Sequence, residues 1–389
     1  MNAAMDETRR GKGLLTRRVG DAPHAAAARA RGRRHPTLLL AAALFASLIP
    51  AEASADDTPT PTVTATSTPT ATPTPTPTPI TDYYVSAGTG NDSTGDGTQS
   101  APWASIAKAL DSIGGGGTAE FPVTIRIAGG TYYETGLDYS SKLDYASLYG
   151  GYDPASWARD ITLYPAVIDG SKGADGSNGI KTWDYCTLDG LTFQDFKSYA
   201  VICVDSSPVI TRCRFLRSGD SAIWAGENTV IRRNVFIGNH DCGVLVYSKE
   251  GFSTTVENNL ILSSAGSGQA AGVTARGNAR IVNNTIAKCG RGIEVRAYSE
   301  DSTRVVLIQN NILADNIGIP GDGFAHYGIY VQGTVDPSTV TIRYNDLWHN
   351  GSPYGGVAEP GEGDCAEEPD FVEDRKSPRL NSSHVSQSR

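Results

Sequence analysis

The sequence predicts an all-β fold of one particular kind, a right-handed parallel β-helix solenoid in which short strands coil around a single axis. Three observations predict it. A short motif recurs along the second half of the chain, and each copy carries a second apolar strand. The 43 glycines and 2 methionines among 389 residues are also typical of many strands joined by tight turns.

The recurring motif is an Asn that follows an Ile or Val by three residues and precedes another apolar residue by two. Its copies lie at Asn234, Asn259, Asn284, Asn311 and Asn345, with degenerate copies at Leu191 and Cys213. An Asn at the same bend of every coil is expected to align its amide in a ladder that satisfies buried backbone groups. The Asn column is therefore predicted to be structural.

The second strand of each copy starts with a small residue followed by Val or Ile. These pairs begin at Ala200, Ala222, Gly243, Gly272, Gly292 and Gly328. Strand alternation predicts that Val201, Ile223, Val244, Val273, Ile293 and Ile329 point inward, because successive side chains of a strand face opposite sides. Stacked coils then bury a continuous apolar core that no single coil could bury alone.

The N-terminal part of the chain has the composition of export and spacer segments. Residues 1–55 contain an apolar run from Thr37 to Ile49, preceded by Arg33 and Arg34 and followed by a small-residue cleavage site, which predicts a signal peptide. Residues 56–80 are almost entirely Thr and Pro and predict an extended linker. The protein is therefore expected outside the cytoplasm, secreted or at the cell surface, without a membrane span in the mature chain.

The β-helix domain is predicted over residues 81–374, with a short helix near its start. Apolar residues recur at helical spacing from Trp103 to Ile113, Ser100 is the predicted N-cap, and four glycines from Gly114 stop the helix. This helix is expected to cap the N-terminal end of the coils. Residues 375–389 are polar and unpatterned and are interpreted as a non-native or out-of-frame tail, so a native C-terminal segment is expected to be missing.

Charge and cysteine content narrow the classes of partner. The net charge of −9 disfavours nucleic acid, whose phosphates require clustered Lys and Arg. The six cysteines contain no CxxC spacing, so a zinc or redox site is not predicted, and small buried thiols are preferred over any particular disulfide pairing. The sequence does not give the oligomeric state.

With the repeats in place, the chain resembles the pectin-lyase-like superfamily of right-handed β-helix proteins. The resemblance extends over about residues 82 to 374 and includes Gly95 to Gly97 followed by Ala101, Pro102 and Trp103, then Gly150 to Asp153 and Ile168 to Gly170. It is specific for fold and weak for function, because the superfamily contains lyases, hydrolases, epimerases, phage tailspikes and noncatalytic adhesins.

The resemblance implies that a substrate groove lies on the outer face of the sheet formed by the Gly-Ile strands. Alternation predicts two outward columns there, one through Lys181, Trp224, Glu294 and Tyr330, the other through Trp183, Tyr247, Arg276 and Arg296. Trp183, Trp224, Tyr247 and Tyr330 are the predicted substrate-binding residues, because aromatic rings stack on sugar faces. Arg276 and Arg296 would pair with uronate carboxylates.

Two functions remain open at this point. The first is a polysaccharide-binding protein without catalysis, and the alternative is a polysaccharide lyase that acts on a uronate-containing glycan. Lyase chemistry would use Arg276, Arg296, Glu294 and Lys181 as the candidate catalytic residues. No metal site is predicted, since Glu294 is the only acid on this face, although calcium stays open as a cofactor.

A glycoside hydrolase is less favoured than a lyase. The sequence contains no paired carboxylates of the polygalacturonase kind in the predicted domain. The remaining polar candidates, expected in loops that border the groove, are His240, Asp241, Asp315, Asp322 and His326. Whether the protein is an enzyme therefore stays undecided by the sequence.

Overall fold

The computed structural model describes residues 81–138, 143–264, 270–297, 304–318, 321 and 323–369. The predicted signal peptide, the Thr/Pro linker, Asp322 and the predicted tail lie outside these residues. Within them, no helix is long and apolar enough to cross a membrane.

Three parallel sheets make up the fold, and their strands are numbered here in chain order from β1 to β27. Sheet A contains β1 (Asp82–Val85), β2 (Val123–Ala128), β5 (Ala146–Tyr152), β8 (Thr187–Asp189), β11 (Val209–Thr211), β14 (Val230–Arg232), β17 (Thr254–Glu257), β20 (Ala279–Val282), β23 (Val306–Gln309) and β26 (Val340–Arg343).

Sheets B and C complete each coil. Sheet B contains β3 (Gly130–Tyr132), β6 (Ala166–Asp169), β9 (Leu191–Gln194), β12 (Arg214–Leu216), β15 (Val235–Ile237), β18 (Leu260–Leu262), β21 (Thr285–Ala287) and β24 (Ile312–Ala314). Sheet C contains β4 (Leu137–Asp138), β7 (Ile180–Lys181), β10 (Val201–Cys203), β13 (Ile223–Ala225), β16 (Cys242–Val246), β19 (Ala271–Ala275), β22 (Arg291–Val295), β25 (Tyr327–Val331) and β27 (Ser352–Gly356).

The order of the strands within each sheet confirms the predicted fold class. The chain passes from A to B to C and returns to A, and every strand pairs in parallel with the equivalent strand of the next coil. Parallel crossovers of this kind are right-handed in nearly all proteins. The predicted inward column of sheet C is also confirmed, because Val201, Ile223, Val244, Val273, Ile293 and Ile329 are fully buried.

The predicted Asn ladder is present and joins five successive coils. The side-chain oxygen of Asn284 accepts hydrogen bonds from the backbone N–H and the side-chain amide of Asn259, both at 3.0 Å. Asn284 in turn donates to the side-chain oxygen of Asn311. The ladder begins at the backbone N–H of Cys213, which donates to Asn234, and ends on the carboxylate of Asp364.

The bend between sheets B and C carries a second column of buried Asn side chains, which the sequence analysis did not predict. Asn316 donates to the side-chain oxygen of Asn350 at 2.9 Å, and its own oxygen accepts from the backbone of Cys289 at 3.0 Å. Asn239 accepts from the backbone of Ser218 in an earlier coil. The bend between sheets A and B and, in several coils, the bend between sheets B and C thus bury polar side chains that satisfy backbone groups.

A glycine precedes four of the six inward residues of sheet C, and at Gly272 it makes room for the neighbouring sheet. A Cβ atom at Gly272 would lie 2.2 Å from Cγ2 of Ile286, a buried residue of β21 in sheet B. Any side chain at this position would therefore force the two sheets apart. The small residue in the repeat is a packing requirement.

The N-terminal helix differs from the prediction at its start. Helix α1 (Ile106–Ser112) is capped by Ser105, whose hydroxyl accepts from the backbone of Lys108 at 3.1 Å, so Ser100 as N-cap was wrong. Trp103 lies before the helix because it forms a parallel bridge with Val85. The helix buries Ile106 and Leu110 in the core, and its role as a cap stays a prediction.

A short 3-10 helix, η1 (Pro337–Thr339), connects β25 to β26. Asp336 is its N-cap and accepts from the backbone of Ser338 at 2.9 Å. This turn leads the chain from sheet C back to sheet A in the last full coil.

Candidate functional site

The outer face of sheet C has the register that strand alternation predicts. The partner positions run from Lys181 through Ile202, Trp224, Leu245, Thr274 and Glu294 to Tyr330, one residue per coil. Successive coils lie about 4.8 Å apart. Side chains of this column are therefore arranged along the axis of the solenoid.

Three aromatic side chains form a patch on this face, which we call the aromatic patch: Tyr199, Trp224 and Tyr247. Trp224 lies 5.2 Å from Tyr199 and 5.9 Å from Tyr247, measured between ring centroids. The rings are half-buried and pack on Cys242, Leu245 and Ala271. Tyr199 was missed in the sequence because it precedes the small residue at which the strand was taken to begin.

The aromatic patch carries two polar donors, the indole N–H of Trp224 and the phenol of Tyr199. The indole N–H of Trp224 is buried and has no hydrogen-bond partner among the described residues. Burial raises the pKa of Tyr199, and the nearby Asp220 carboxylate raises it further, so the phenol stays protonated. A ligand that offers oxygen acceptors would satisfy the indole.

Trp183 was wrongly predicted to point outward. Its side chain is 0% exposed, and its indole N–H donates to the backbone oxygen of Ala146 at 2.7 Å. Strand β7 contains only Ile180 and Lys181, and the alternation that holds within a strand does not extend to Trp183. The side chain belongs to the core and cannot stack on a ligand.

The predicted Glu294 and Arg296 form a buried charge cluster with Arg291, which the sequence reading missed. Glu294 is 1% exposed and accepts from Nε of Arg296 at 2.7 Å through its Oε2. Its Oε1 pairs with the guanidinium of Arg291, which is itself only 7% exposed. Glu294 is thus an ion-pair partner of two arginines rather than a free base.

Two arginines of this face stack on tyrosine rings. The guanidinium of Arg276 lies 5.3 Å from the ring of Tyr247, and the guanidinium of Arg291 lies 4.1 Å from the ring of Tyr330. Arg276 also hydrogen-bonds the hydroxyl of Tyr247. Both distances are within the range of a cation–π contact.

Lys181 lies apart from the other candidate catalytic residues. Four strands of sheet C separate β7 from β22, so Lys181 and Glu294 are five coil spacings apart, or about 24 Å. Its Nζ lies 4.0 Å from a carboxylate oxygen of Asp138. The structure therefore brings Arg296 and Glu294 together, places Arg276 on the next coil, and leaves Lys181 outside this group.

The loop candidates make separate local contacts. Asp241 accepts from the hydroxyl of Ser221 at 3.4 Å, and Asp315 pairs with His349 at 2.6 Å. Nδ1 of His326 lies 3.1 Å from the backbone oxygen of Gly290. These residues do not form one constellation, and His240 has an exposed side chain.

The cysteines are free in the structure, and five of the six are buried. Burial raises the pKa of Cys186, Cys203 and Cys213 to about 12 and that of Cys289 to about 11. These thiols are therefore protonated and inaccessible at neutral pH. Cys365 is exposed, in contrast to the expectation that all six are buried.

We expect thiol titration of the folded protein at neutral pH to label Cys365 rapidly and the other five cysteines only after unfolding. The physical reason is that thiolate formation and access are both suppressed in the core. A Cys365→Ser variant should show no fast phase. Rapid labelling of several thiols in that variant would contradict the buried assignment.

Part of the chain matches a known protein family. A family model described as a periplasmic copper-binding protein (NosD) matches residues 165–350, just under half of the chain. No curated protein sequence matches the chain. The family match lies entirely within the stacked coils.

Among solved structures, a periplasmic alginate epimerase is 14% identical and has a TM-score of 0.44, with 63% of this chain and 59% of that chain covered. A tailspike of E. coli bacteriophage HK620 is 15% identical, with a TM-score of 0.44 and coverage of 64% and 53%. A pectate lyase is 17% identical, with a TM-score of 0.44 and coverage of 76% and 84%. The strand order of its three parallel sheets, described above, makes the chain a parallel β-helix repeat protein.

The β-helix spans less than two thirds of the epimerase and of the tailspike. The description of the matching family names copper. Among the described residues, no three His, Cys, Asp or Glu side chains are grouped so that they could hold a metal ion. The buried thiols are scattered through the core, so the described residues do not fit a copper centre.

Proposed function

We propose that this β-helix protein binds an extracellular or cell-surface polysaccharide through the outer face of sheet C, without catalysis. The observation that carries the proposal is the aromatic patch, in which three half-buried rings on successive coils form a continuous surface. Aromatic rings offer apolar faces to sugar C–H groups and polar edges to hydroxyls. A glycan that lies along the solenoid axis would meet one ring per coil.

The unpaired indole N–H of Trp224 supports the same proposal. A buried donor without a partner costs about 1 to 3 kcal/mol, and a ligand hydroxyl or ring oxygen would recover that loss. The phenol of Tyr199 already hydrogen-bonds the carboxylate of Asp220, so Tyr199 contributes its ring face to the patch. Trp224 is therefore the proposed centre of the binding surface.

The lyase alternative has less support from the geometry. It required Lys181, Arg276, Arg296 and Glu294 to act on one sugar, and Lys181 is about 24 Å from Glu294. Glu294 is buried between two arginines, so it is not placed to accept a proton from a bound sugar. The alternative remains a reaction to be assayed beside binding.

We also propose that the protein acts outside the cytoplasm. The signal-peptide pattern of residues 1–55 supports export, and the matching family is described as periplasmic. Polysaccharides of the cell surface or the medium would then be accessible partners. Nucleic acid is not a proposed partner.

We expect Trp224→Ala to weaken polysaccharide binding by about tenfold or more, because it removes the central ring and its donor. Binding would be measured by isothermal titration calorimetry of the purified protein against a panel of neutral and acidic polysaccharides. Trp348→Ala is the matched control, since this half-buried tryptophan lies beside the end of β24 in sheet B. The control should bind as the parent does.

The same panel separates the two candidate functions. A rise in ultraviolet absorbance from unsaturated uronate would show lyase activity and overturn the noncatalytic proposal. Equal loss of binding in Trp224→Ala and Trp348→Ala would show that sheet C is not the binding face. Failure to bind any polymer of the panel would contradict the proposed function itself.

A further inference from the structure

Two tyrosine rings are stacked on the bend between sheets C and A, and we call this pair the tyrosine stack: Tyr145 and Tyr185. Strands β5 and β8 pair with Leu148 opposite Leu188, so the two tyrosines occupy equivalent positions on adjacent coils. Their ring centroids are 4.4 Å apart, and the ring planes differ by 10°. The backbone N–H of Tyr145 donates to the carbonyl oxygen of Asp184 at 3.1 Å, which holds the two turns side by side.

The tyrosine stack differs from the residues that follow it on the same bend. The equivalent positions of the next three coils hold Ser207, Asn228 and Ser253. These small side chains satisfy the backbone of the bend, since the oxygen of Ser207 accepts from Asn228 at 3.4 Å and the oxygen of Asn228 accepts from Ser253 at 3.1 Å. A phenol ring is too long to make these local hydrogen bonds.

Core packing does not account for the two tyrosines either. Neither ring belongs to the core, and the side chain of Tyr185 is 64% exposed. Tyr145 and Tyr185 have φ of 62° and 58°, a left-handed conformation that bulky residues rarely adopt. Two tyrosines thus occupy strained turn positions where their rings contact each other and solvent.

The geometry of the tyrosine stack suits oxidative coupling of its two phenols. In dityrosine a bond joins the ring carbons ortho to the two hydroxyls and holds the ring centroids at nearly the separation seen here. Exposed side chains on turns rotate rapidly, so the rings can meet edge to edge without movement of the strands. Partial burial raises the pKa of Tyr145, and Tyr185 and Asp144 raise it further, so the phenol is protonated at neutral pH.

We propose that the tyrosine stack is a modification site at which a peroxidase, with hydrogen peroxide as the oxidant, forms an intramolecular dityrosine. Each phenol loses one electron and its hydroxyl proton, and the two tyrosyl radicals join through a carbon–carbon bond between their ortho positions. The two ortho hydrogens then move to the oxygens as protons, which restores both aromatic rings. The peroxide takes up the two electrons and two protons and becomes two molecules of water.

The dityrosine links two coils covalently near the N-terminal end of the solenoid. All six cysteines are free, so no disulfide links the described coils. A bond between residues far apart in the sequence restricts the unfolded chain, as a disulfide does. The modified protein is therefore expected to unfold at a higher urea concentration than the unmodified protein.

The test is treatment of the purified protein with a heme peroxidase and hydrogen peroxide, followed by digestion with trypsin. Tyr145 and Tyr185 fall in different tryptic peptides, residues 143–159 and 182–197. We expect mass spectrometry to find these two peptides linked, with the loss of two hydrogen atoms, and the protein to gain dityrosine fluorescence. A yield that does not depend on protein concentration identifies the link as intramolecular.

Tyr145→Phe and Tyr185→Phe keep a stacked ring and remove one hydroxyl, so each variant should lose the linked peptides. The Tyr145→Phe variant also distinguishes Tyr145 from the two other tyrosines of residues 143–159. Tyr133→Phe is the matched control, because Tyr133 is 53% exposed and its ring contacts the ammonium of Lys172. The control should form the link as the parent does.

Three results would overturn the proposal. The first is a link that persists in both Phe variants, and the second is coupling only between molecules. The third is oxidation elsewhere in a parent that forms no link at the tyrosine stack, for example at Tyr327 and Tyr330, whose ring centroids are 5.3 Å apart. Equal urea midpoints for the linked parent and the peroxidase-treated Tyr185→Phe variant would overturn the stabilising role of the link.

Discussion

Asn284→Ala is expected to destabilise the protein by about 3 to 5 kcal/mol. The variant loses the acceptor for the backbone N–H and side-chain amide of Asn259. It also loses the donor to the backbone oxygens of Val256 and Val282. These groups are buried in the bend, so the substitution leaves several of them without a hydrogen-bond partner.

Asn283→Gly is the control for this prediction. Asn283 is adjacent to Asn284, exposed, and in the left-handed region with φ of 56°, which glycine adopts without strain. The control should change the free energy of unfolding by about 0.5 kcal/mol or less. Urea unfolding followed by far-ultraviolet circular dichroism would measure both variants. Similar midpoints would show that the ladder contributes little to stability.

The repeat could be predicted because the same physical requirement recurs in every coil. Each inward position must be apolar, and each bend must satisfy the same backbone groups, so one residue type returns at Asn234, Asn259 and their equivalents. The degenerate copy at Cys213 also lies at the ladder position of its coil, since its backbone N–H donates to the side-chain oxygen of Asn234. A repeat of apolar and Asn residues that coil stacking requires can therefore be recognised in a single sequence.

The left-handed residues before the ladder could not be predicted in this way. Arg233, Asn258, Asn283, Asn310 and Tyr344 all have φ between 55° and 57°. Arg and Tyr rarely adopt this conformation, so their identities carry no signal for it. The stacked neighbours impose the conformation on the turn, and the residue type has little influence.

The candidate site was only partly predictable. Side chains alternate between the two faces of a sheet only within a strand, and this alternation does not continue into the residues beyond the strand. It placed Trp224, Glu294 and Tyr330 in one column correctly, but it failed at Trp183, beyond the two residues of β7. It also started sheet C at Gly292 and so missed Arg291, one residue earlier. Burial of Glu294 depends on how long arginine side chains fold over the face, which strand periodicity does not encode.

Glu294→Ala is expected to destabilise the protein by about 3 to 5 kcal/mol, since it leaves the buried Arg291 without its carboxylate. Glu257→Ala, at a half-buried acid of β17 in sheet A, is the control and should change stability by about 0.5 kcal/mol or less. Both would be measured by urea unfolding.

The triple variant Arg291→Met, Glu294→Leu, Arg296→Met tests whether the cost arises from the unpaired charge. Apolar residues of similar volume remove the desolvation cost together with the ion pairs, so the triple variant should recover most of the stability lost in Glu294→Ala. A triple variant as unstable as Glu294→Ala would indicate that the cluster stabilises the coil through packing.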